Sequence, residues 1–299
     1  MFKNMVVYRI GAEWQASLTV IESSLQKMRF APCGLTQKQS VGWVEPRGLK
    51  HSPLVESIGG QYLLKMLVEQ RVLPGAVVKR RTDEMARKIE EETGRKPGKK
   101  QSKELKEQAE LELLPMAFTK QSSVNVWIDP VHHLLMLDTS SSSRAEDVIT
   151  SLVKCLDGFA VSLLQTKESA SVAMKEWLAS GEPPAGFTID RECELKSMDE
   201  MKSVVRYARH LLDTDEVKAH IVSGKLPTRL AMTWDARVSF VLTESMQIKK
   251  LAFLDVVFEG HKPGKDEAFD ADAAIATTEM SKLIPDLIDA LGGELQLQG

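Results

Sequence analysis

Cysteine is scarce in this chain: 299 residues contain three, Cys33, Cys155 and Cys193. They are odd in number, far apart and never in a Cys-x-x-Cys pair, which argues against both a disulfide framework and a structural zinc site. Reduced, mostly buried thiols are expected. Long apolar runs are also missing. No stretch approaches the roughly 20 residues a membrane helix needs, and the N-terminus has Lys3 and Arg9 but no apolar signal core. The glycines near Gly42, Gly48 and Gly59 reproduce neither a Walker loop nor a dinucleotide fingerprint, and there is no Gly-x-Ser-x-Gly turn. Nucleotide-driven work and acyl transfer are therefore poorly supported. Zinc-finger spacing, an RNP-type aromatic motif and a basic zipper are absent too. If DNA is the ligand, it must be held by its phosphates rather than read at its bases.

An overall positive charge is lacking as well, since the formal net charge is −3. Its distribution is uneven. Between Lys79 and Lys106, eleven basic residues (Lys79, Arg80, Arg81, Arg87, Lys88, Arg95, Lys96, Lys99, Lys100, Lys103, Lys106) face six acidic ones. From Asp255 to the end, ten acidic residues face only Lys262, Lys265 and Lys282. A polyanion feels local potential, not the average, so the chain can carry a basic surface beside an acidic one. A solvated helical arm whose charges serve solubility accounts for the same pattern.

At 43% hydrophobic the chain can bury a sizeable core. Met5 to Ile10 has the composition of a strand and Leu18 to Met28 the spacing of a helix. Gly42-Trp43-Val44 and Gln61 to Val68 look like further strands. Ala76 to Glu92 and Ser102 to Leu114 are charged and helix-favouring, broken at Gly94 to Gly98 and ended by Pro115, which predicts a two-helix arm. Val124 to Ile128 and Leu134 to Leu137 form a hairpin candidate, followed by a helix over Ala145 to Leu156. Leu230 to Trp234 and Arg237 to Thr243 form a second hairpin candidate around Asp235-Ala236, followed by a strand over Lys249 to Phe258 and a helix over Thr278 to Leu291. The recurring order suggests an internal pseudo-repeat, with convergent patterning as the alternative. The expected class is α+β, built of antiparallel hairpin and sheet units with helices and a protruding arm. The expected organisation is an N-terminal α+β part (1–74), the arm (75–116), a hairpin and helix completing the central region (117–160), and a second α+β region with an acidic C-terminus (161–299).

Catalytic constellations are thin. A metal-dependent nuclease needs carboxylates for Mg²⁺ and a lysine at the scissile phosphate, and Asp190, Glu194 and Lys196 come nearest. They lie within six residues, close for the usual placement on successive strands. Asp129, Asp138 and Asp235 sit beside hairpins, where turn chemistry explains them. His132 and His133 would point to opposite faces of a strand, and His51, His210, His220 and His261 have no partner at ligand-like spacing. Outside the arm, Arg206 and Arg209 stand three apart beside Tyr207, on one face if the segment is helical, and are the best further phosphate contacts. Asp213-Thr214-Asp215-Glu216 is a helix start.

Several segments together resemble one family, the bacterial recombination-associated RdgC proteins. They are Phe2-Lys3-Asn4 with Val7-Tyr8-Arg9, Phe30-Ala31-Pro32-Cys33-Gly34, Gly42-Trp43-Val44-Glu45-Pro46, Leu113-Leu114-Pro115-Met116-Ala117-Phe118, Trp127-Ile128-Asp129, Glu176-Trp177-Leu178, Glu194-Leu195-Lys196, Phe269-Asp270-Ala271-Asp272 and Leu287 through Glu294. The similarity is collinear along the whole chain. It implies a ring-shaped homodimer around duplex DNA that also binds single strands, reads no sequence, and restrains the RecA recombinase by occupying its substrate. It further implies a cytoplasmic, nucleoid-associated protein with no cofactor, no metal and no enzymatic activity. Phe118, with Leu114, is then expected at a contact that closes the ring. Filling its own subunit's core is the alternative for Phe118. The DNA-contacting residues expected are Lys79, Arg80, Arg81, Arg87, Lys88, Arg95, Lys96, Lys99, Lys100, Arg206 and Arg209. Met116 stands where family members can carry a basic residue, and His210 and Leu211 where more polar residues occur. A metal-dependent nuclease and a protein-interaction scaffold are the competing functions.

Overall fold

A computed structural model of the chain describes residues 2–15, 17–259 and 268–295. His261, Lys262, Lys265, Asp266 and Glu267, counted above, lie outside them. In chain order the elements are β1 (Val6–Ile10), α1 (Leu18–Gln26), β2 (Gln39–Val44), β3 (Val55–Ile58), β4 (Gln61–Arg71), α2 (Gly75–Thr93), α3 (Lys99–Leu113), β5 (Thr119–Asp129), β6 (Leu134–Leu137), α4 (Ser142–Cys155) and β7 (Val161–Leu163). They continue as α5 (Ala170–Ser180), β8 (Phe187–Ser197), β9 (Val204–Ala208), α6 (Asp215–Val222), β10 (Lys225–Trp234), β11 (Val238–Thr243), β12 (Ile248–Phe253) and α7 (Ala268–Ala290). The class is α+β, as expected.

Two antiparallel sheets organise the chain. The first has seven strands in the order β2-β4-β5-β6-β1-β7, with β3 also paired to β4; the second has five, in the order β12-β11-β10-β8-β9. Alternation along the strands of the first sheet supplies two apolar faces. On one face Val126, Ile128, Leu135 and Leu137 meet Ile21 and Leu25 of α1 and Val148 and Leu152 of α4. On the other, Val7, Trp127, Leu134 and Met136 join a larger core. That core also takes one face of the second sheet, through Cys193, Leu195, Leu230, Met232, Phe240 and Leu242, together with α5, α6 and α7. The second sheet is thus covered by apolar packing on one side, and Glu194 and Arg206, which alternate with core residues, are left to the other.

The turns follow from residue type. Asp235 and Ala236 both take left-handed φ, 46° and 49°, and Arg237 N–H returns to the Trp234 carbonyl at 2.8 Å, so they are the central residues of a tight turn within the three-residue connection between the paired Trp234 of β10 and Val238 of β11. Asp129 accepts from the backbone N–H of Val131 and of His132, both at 3.0 Å, and so closes the β5–β6 turn. Gly42 is required by close approach: a Cβ there would lie 2.4 Å from the Phe30 Cα. The segment before Phe30 runs along the β2 edge, with Phe30 N–H bonded to the Trp43 carbonyl at 3.0 Å and Trp43 N–H to the Met28 carbonyl at 3.0 Å. This contact covers an edge that would otherwise be open to pairing.

Three expectations change. The strand predicted over Lys249 to Phe258 ends at Phe253, and Asp255–Phe258 is a 3-10 turn. The C-terminal helix begins at Ala268 rather than Thr278 and runs through Pro285, which lies inside it. The hairpin-helix order recurs, but the sheets differ in strand number and α4 and α7 pack in different cores, so no pair of matching units is shown.

Candidate nucleic-acid interface

The arm leaves the first sheet at the last pair of the β4–β5 ladder, Arg71 with Thr119. Its residues are strong helix formers, so propensity and charge agree. α2 stops at Gly94, whose φ of 68° lets its N–H return to the Glu90 carbonyl at 2.8 Å. Little apolar surface is buried between the helices: Val78, Leu105 and Ala109 are the fully buried residues within α2 and α3. Ion pairs supplement this seam. Arg81 pairs with Glu112 of α3 at 2.7 Å and with Glu84 at 3.3 Å, and these hydrogen bonds raise its pKa. Lys38 reaches Glu110 at 2.5 Å and holds α3 to the body.

Arg71 fixes the arm's base. Its guanidinium donates to the carbonyls of Leu114 at 3.1 Å, Ala117 at 3.0 Å and Gly34 at 3.2 Å. The turn after α3 is therefore tied to β4 and to the loop at Gly34. Leu114 is buried inside its own chain. Phe118 is 88% exposed, and Met116 and Val72 are exposed beside it in sequence and in the ladder. Phe118 therefore does not fill its own chain's core.

The arm cations divide by what they touch. Arg81 is spent on carboxylates, and Arg80 stands 3.9 Å from Glu84. Among the described residues, Lys79, Arg87, Lys88, Arg95, Lys96, Lys99 and Lys100 are exposed and form no ion pair. Four of these, Arg95, Lys96, Lys99 and Lys100, surround the turn between the helices. α3 starts there with Gly98 at its cap, no side-chain cap bond and no acid in its first turn. Cations at a helix N-terminus oppose the helix dipole, which favours anions at that end, so positive potential accumulates at the arm's tip.

Arg206 and Arg209 do not share a helical face. Arg206 lies on strand β9, and Arg209 follows it at φ 57°, exposed and without an ion pair among the described residues. Arg206 donates through Nε to Glu194 at 2.6 Å. Asp190 accepts from Thr233 at 2.9 Å, and Glu194 accepts from Thr228 at 2.7 Å. Burial works to raise the Glu194 pKa, but the bonds from Thr228 and Arg206 and the charge of Arg229 leave it lowered overall. The nuclease carboxylates are thus held by hydroxyls and an arginine. Among the described residues no three His, Cys, Asp or Glu side chains cluster as a metal site. The thiols are equally passive: burial pushes Cys193 up to about 12 and Cys155 up to about 11.

The acids of α7 are less available than their number suggests. Glu279 accepts from Nε and Nη2 of Arg237, each at 2.7 Å, Asp286 accepts from Trp234 Nε1 at 2.7 Å, and Asp270 pairs with Arg47 at 2.6 Å. Sequence reading passed over Arg229, which strand register places opposite Glu194. Its signal was the period-two alternation of Arg229-Leu230-Ala231-Met232.

A family model described as "Putative exonuclease, RdgC" matches residues 1–294. The chain belongs to the RdgC family. It is 46% identical over 300 residues to the recombination-associated protein RdgC of Dechloromonas aromatica, with 98% of each chain covered. The proteins of the same name from Cupriavidus necator and Bordetella pertussis are 45% and 42% identical over 296 residues, again with 98% of each chain covered. The resemblance read from nine segments thus extends over the whole chain. Family membership connects the chain with recombination, while the two descriptions differ on whether a nuclease is involved. No helix among the described residues is long and apolar enough to cross a membrane.

Proposed function

We propose that this chain binds DNA through its phosphates, without reading sequence, as a homodimer that surrounds the duplex and limits the access of RecA. Seven exposed arm cations that form no ion pair among the described residues carry this reading, because charge not used within the fold is available to a polyanion. Phe118, at the root of the arm, is the residue through which one subunit contact forms, and Arg206 and Arg209 add contacts on the second sheet. Single strands offer the same phosphates and bind too. The protein works at the nucleoid in the cytoplasm, as a binding protein rather than an enzyme.

A salt titration tests the binding. If about six phosphates are neutralised, affinity for duplex falls roughly a thousandfold between 50 and 200 mM salt, alike for unrelated sequences. Salt-insensitive binding, or none at low salt, would remove DNA as the ligand and favour a protein-interaction scaffold. A metal-dependent nuclease is the second reading, supported by the description of the family model. Incubation of labelled DNA with Mg²⁺ or Mn²⁺ decides it. Dose-dependent cleavage lost in Asp190→Asn or Glu194→Gln would establish the nuclease.

A further inference from the structure

The five strands of the second sheet carry seven cations (Arg191, Lys196, Arg206, Lys225, Arg229, Lys249, Lys250) against three carboxylates (Asp190, Glu192, Glu194), a surplus of four in a chain of net charge −3. One face of this sheet is committed to the apolar core. Arg206, Glu194 and Arg229 alternate with the core residues Tyr207, Cys193, Leu195 and Leu230, so they stand on the opposite face. Lys249 adjoins the core residue Ile248 and pairs with Val241, which lies between the core residues Phe240 and Leu242. It shares that opposite face.

Register lines these groups up. Arg206 of β9 is opposite Glu194 of β8, which is opposite Arg229 of β10. The Glu194 carboxylate lies 2.6 Å from Arg206 Nε and 4.0 Å from Arg229 Nε, and Thr228 holds its other oxygen. Arg206 is hydrogen-bonded through Nε and Arg229 is held only by charge, so among the described residues the terminal nitrogens of both guanidinium groups have no ion-pair partner, and these are the donors that grip a phosphate in a fork. The arginine side chains are 73% and 50% exposed. Lys249 forms no ion pair among the described residues. At about 4.8 Å per strand, Arg206 and Arg229 stand about 10 Å apart across the face, and Lys249 lies two strands further on, displaced by two residues along the strand because it is in register with Val241 and Ala231 rather than with Arg229. Small residues separate them, Ala231 and Val241, over which Lys250 reaches to Glu192.

We propose that this face of the five-stranded sheet is a second contact surface for the duplex backbone, formed by Arg206, Arg229 and Lys249, and that Glu194 sets its strength. The carboxylate does two things. It orients the Arg206 fork through Nε, and it cancels one unit of the charge of the arginine pair. A phosphate therefore competes with Glu194 for the same pair, which holds the affinity of this surface below what its cations alone would give. Neutralising Glu194 without changing its shape must then strengthen binding, the opposite of what a metal-ligating carboxylate would do. The inference rests on the DNA-binding reading above.

The test uses the full chain and two unrelated 30-base-pair duplexes, with affinity followed from 50 to 300 mM salt. Arg229→Gln and Lys249→Gln each remove one contact, so affinity at 0.1 M salt falls about five- to tenfold and the logarithmic salt slope becomes shallower by about 0.9. Glu194→Gln keeps an oxygen acceptor for Arg206, turns its NH2 to the Thr228 hydroxyl, which can accept, and drops the charge; affinity rises by a similar factor and the slope steepens. Lys249 and Glu194 report independently should Arg229→Gln fail to fold, which a circular-dichroism melt shows. If wild type binds and these variants keep its affinity and slope, the second surface is wrong while the DNA reading stands. Weakened binding or lost Mg²⁺-dependent cleavage in Glu194→Gln overturns the role given to that residue. Failure of wild type to bind at 50 mM salt instead sinks the DNA reading itself.

Discussion

Removing the charge at the arm's tip separates a phosphate-gripping arm from one that is merely solvated. The perturbation is Arg95→Gln, Lys96→Gln, Lys99→Gln and Lys100→Gln together. All four side chains are exposed and form no ion pair among the described residues, so the substitution breaks no contact that holds the arm. Four phosphate contacts at about 0.9 each make the logarithmic salt slope shallower by about 3.6. Over the fourfold rise from 50 to 200 mM, that is a loss of salt sensitivity of about 150-fold. Fluorescence anisotropy of a labelled duplex at five salt concentrations measures it directly. Arg81→Gln is the control, because Arg81 is already occupied by Glu112 and Glu84 and should leave the slope unchanged. A quadruple variant that keeps the wild-type slope would show that the tip charges serve solubility alone.

Phe118→Ser leaves the fold intact, because the ring is 88% exposed, but weakens a subunit contact by about 2 kcal/mol, or roughly 30-fold in dissociation constant. Sedimentation and retention on closed circular DNA should both report that loss, and wild-type values for both would take Phe118 out of the contact. Gly42→Ala drives a methyl to within 2.4 Å of the Phe30 Cα, where backbone rather than a mobile side chain must yield. The expected cost is about 3 kcal/mol, seen as a drop of several degrees in Tm; an unchanged melt would contradict the close approach. Glu279 has a pKa lowered chiefly by its hydrogen bonds from Arg237. Its stabilisation is complete above the unfolded value near 4.5 and is lost as pH falls through the lower folded value. Glu279→Gln should accordingly flatten the decline of Tm below pH 4.5, and an identical acid profile would refute the assignment.

The parts legible in the sequence are those where local chemistry and global packing agree. Asp235-Ala236 marks its hairpin, Gly94 and Pro115 bound the arm's helices, and Thr214 caps α6 by accepting from Val217 N–H. The second sheet was harder to read. β8 carries a bulge between its pairs with Leu230 and Met232, which interrupts the alternation of charged and apolar residues. Its carboxylates then looked like a compact acidic cluster rather than one side of a sheet. The spacing of Arg206 and Arg209 suggested a helix, although Val204-Val205-Arg206-Tyr207 alternates as a strand does. The commitment of Glu279, Asp286 and Asp270 was hidden for another reason. Their partners are Arg237, Trp234 and Arg47, at sequence separations of 42, 52 and 223 residues, and only the fold brings them together.

The arm departs and returns between Arg71 and Thr119, two residues that already face each other at the end of one antiparallel ladder. In topology everything from 72 to 118 is a hairpin connection that has been elaborated into helices. The register of β4 and β5 is set by the pairs from Tyr62 with Ile128 onward and owes nothing to the arm's length. Whole helical turns can therefore be added to or removed from α2 and α3 in concert, at about 5.4 Å each, without disturbing either sheet. The reach of the molecule is an adjustable dimension, separable from the stability of the body that carries it.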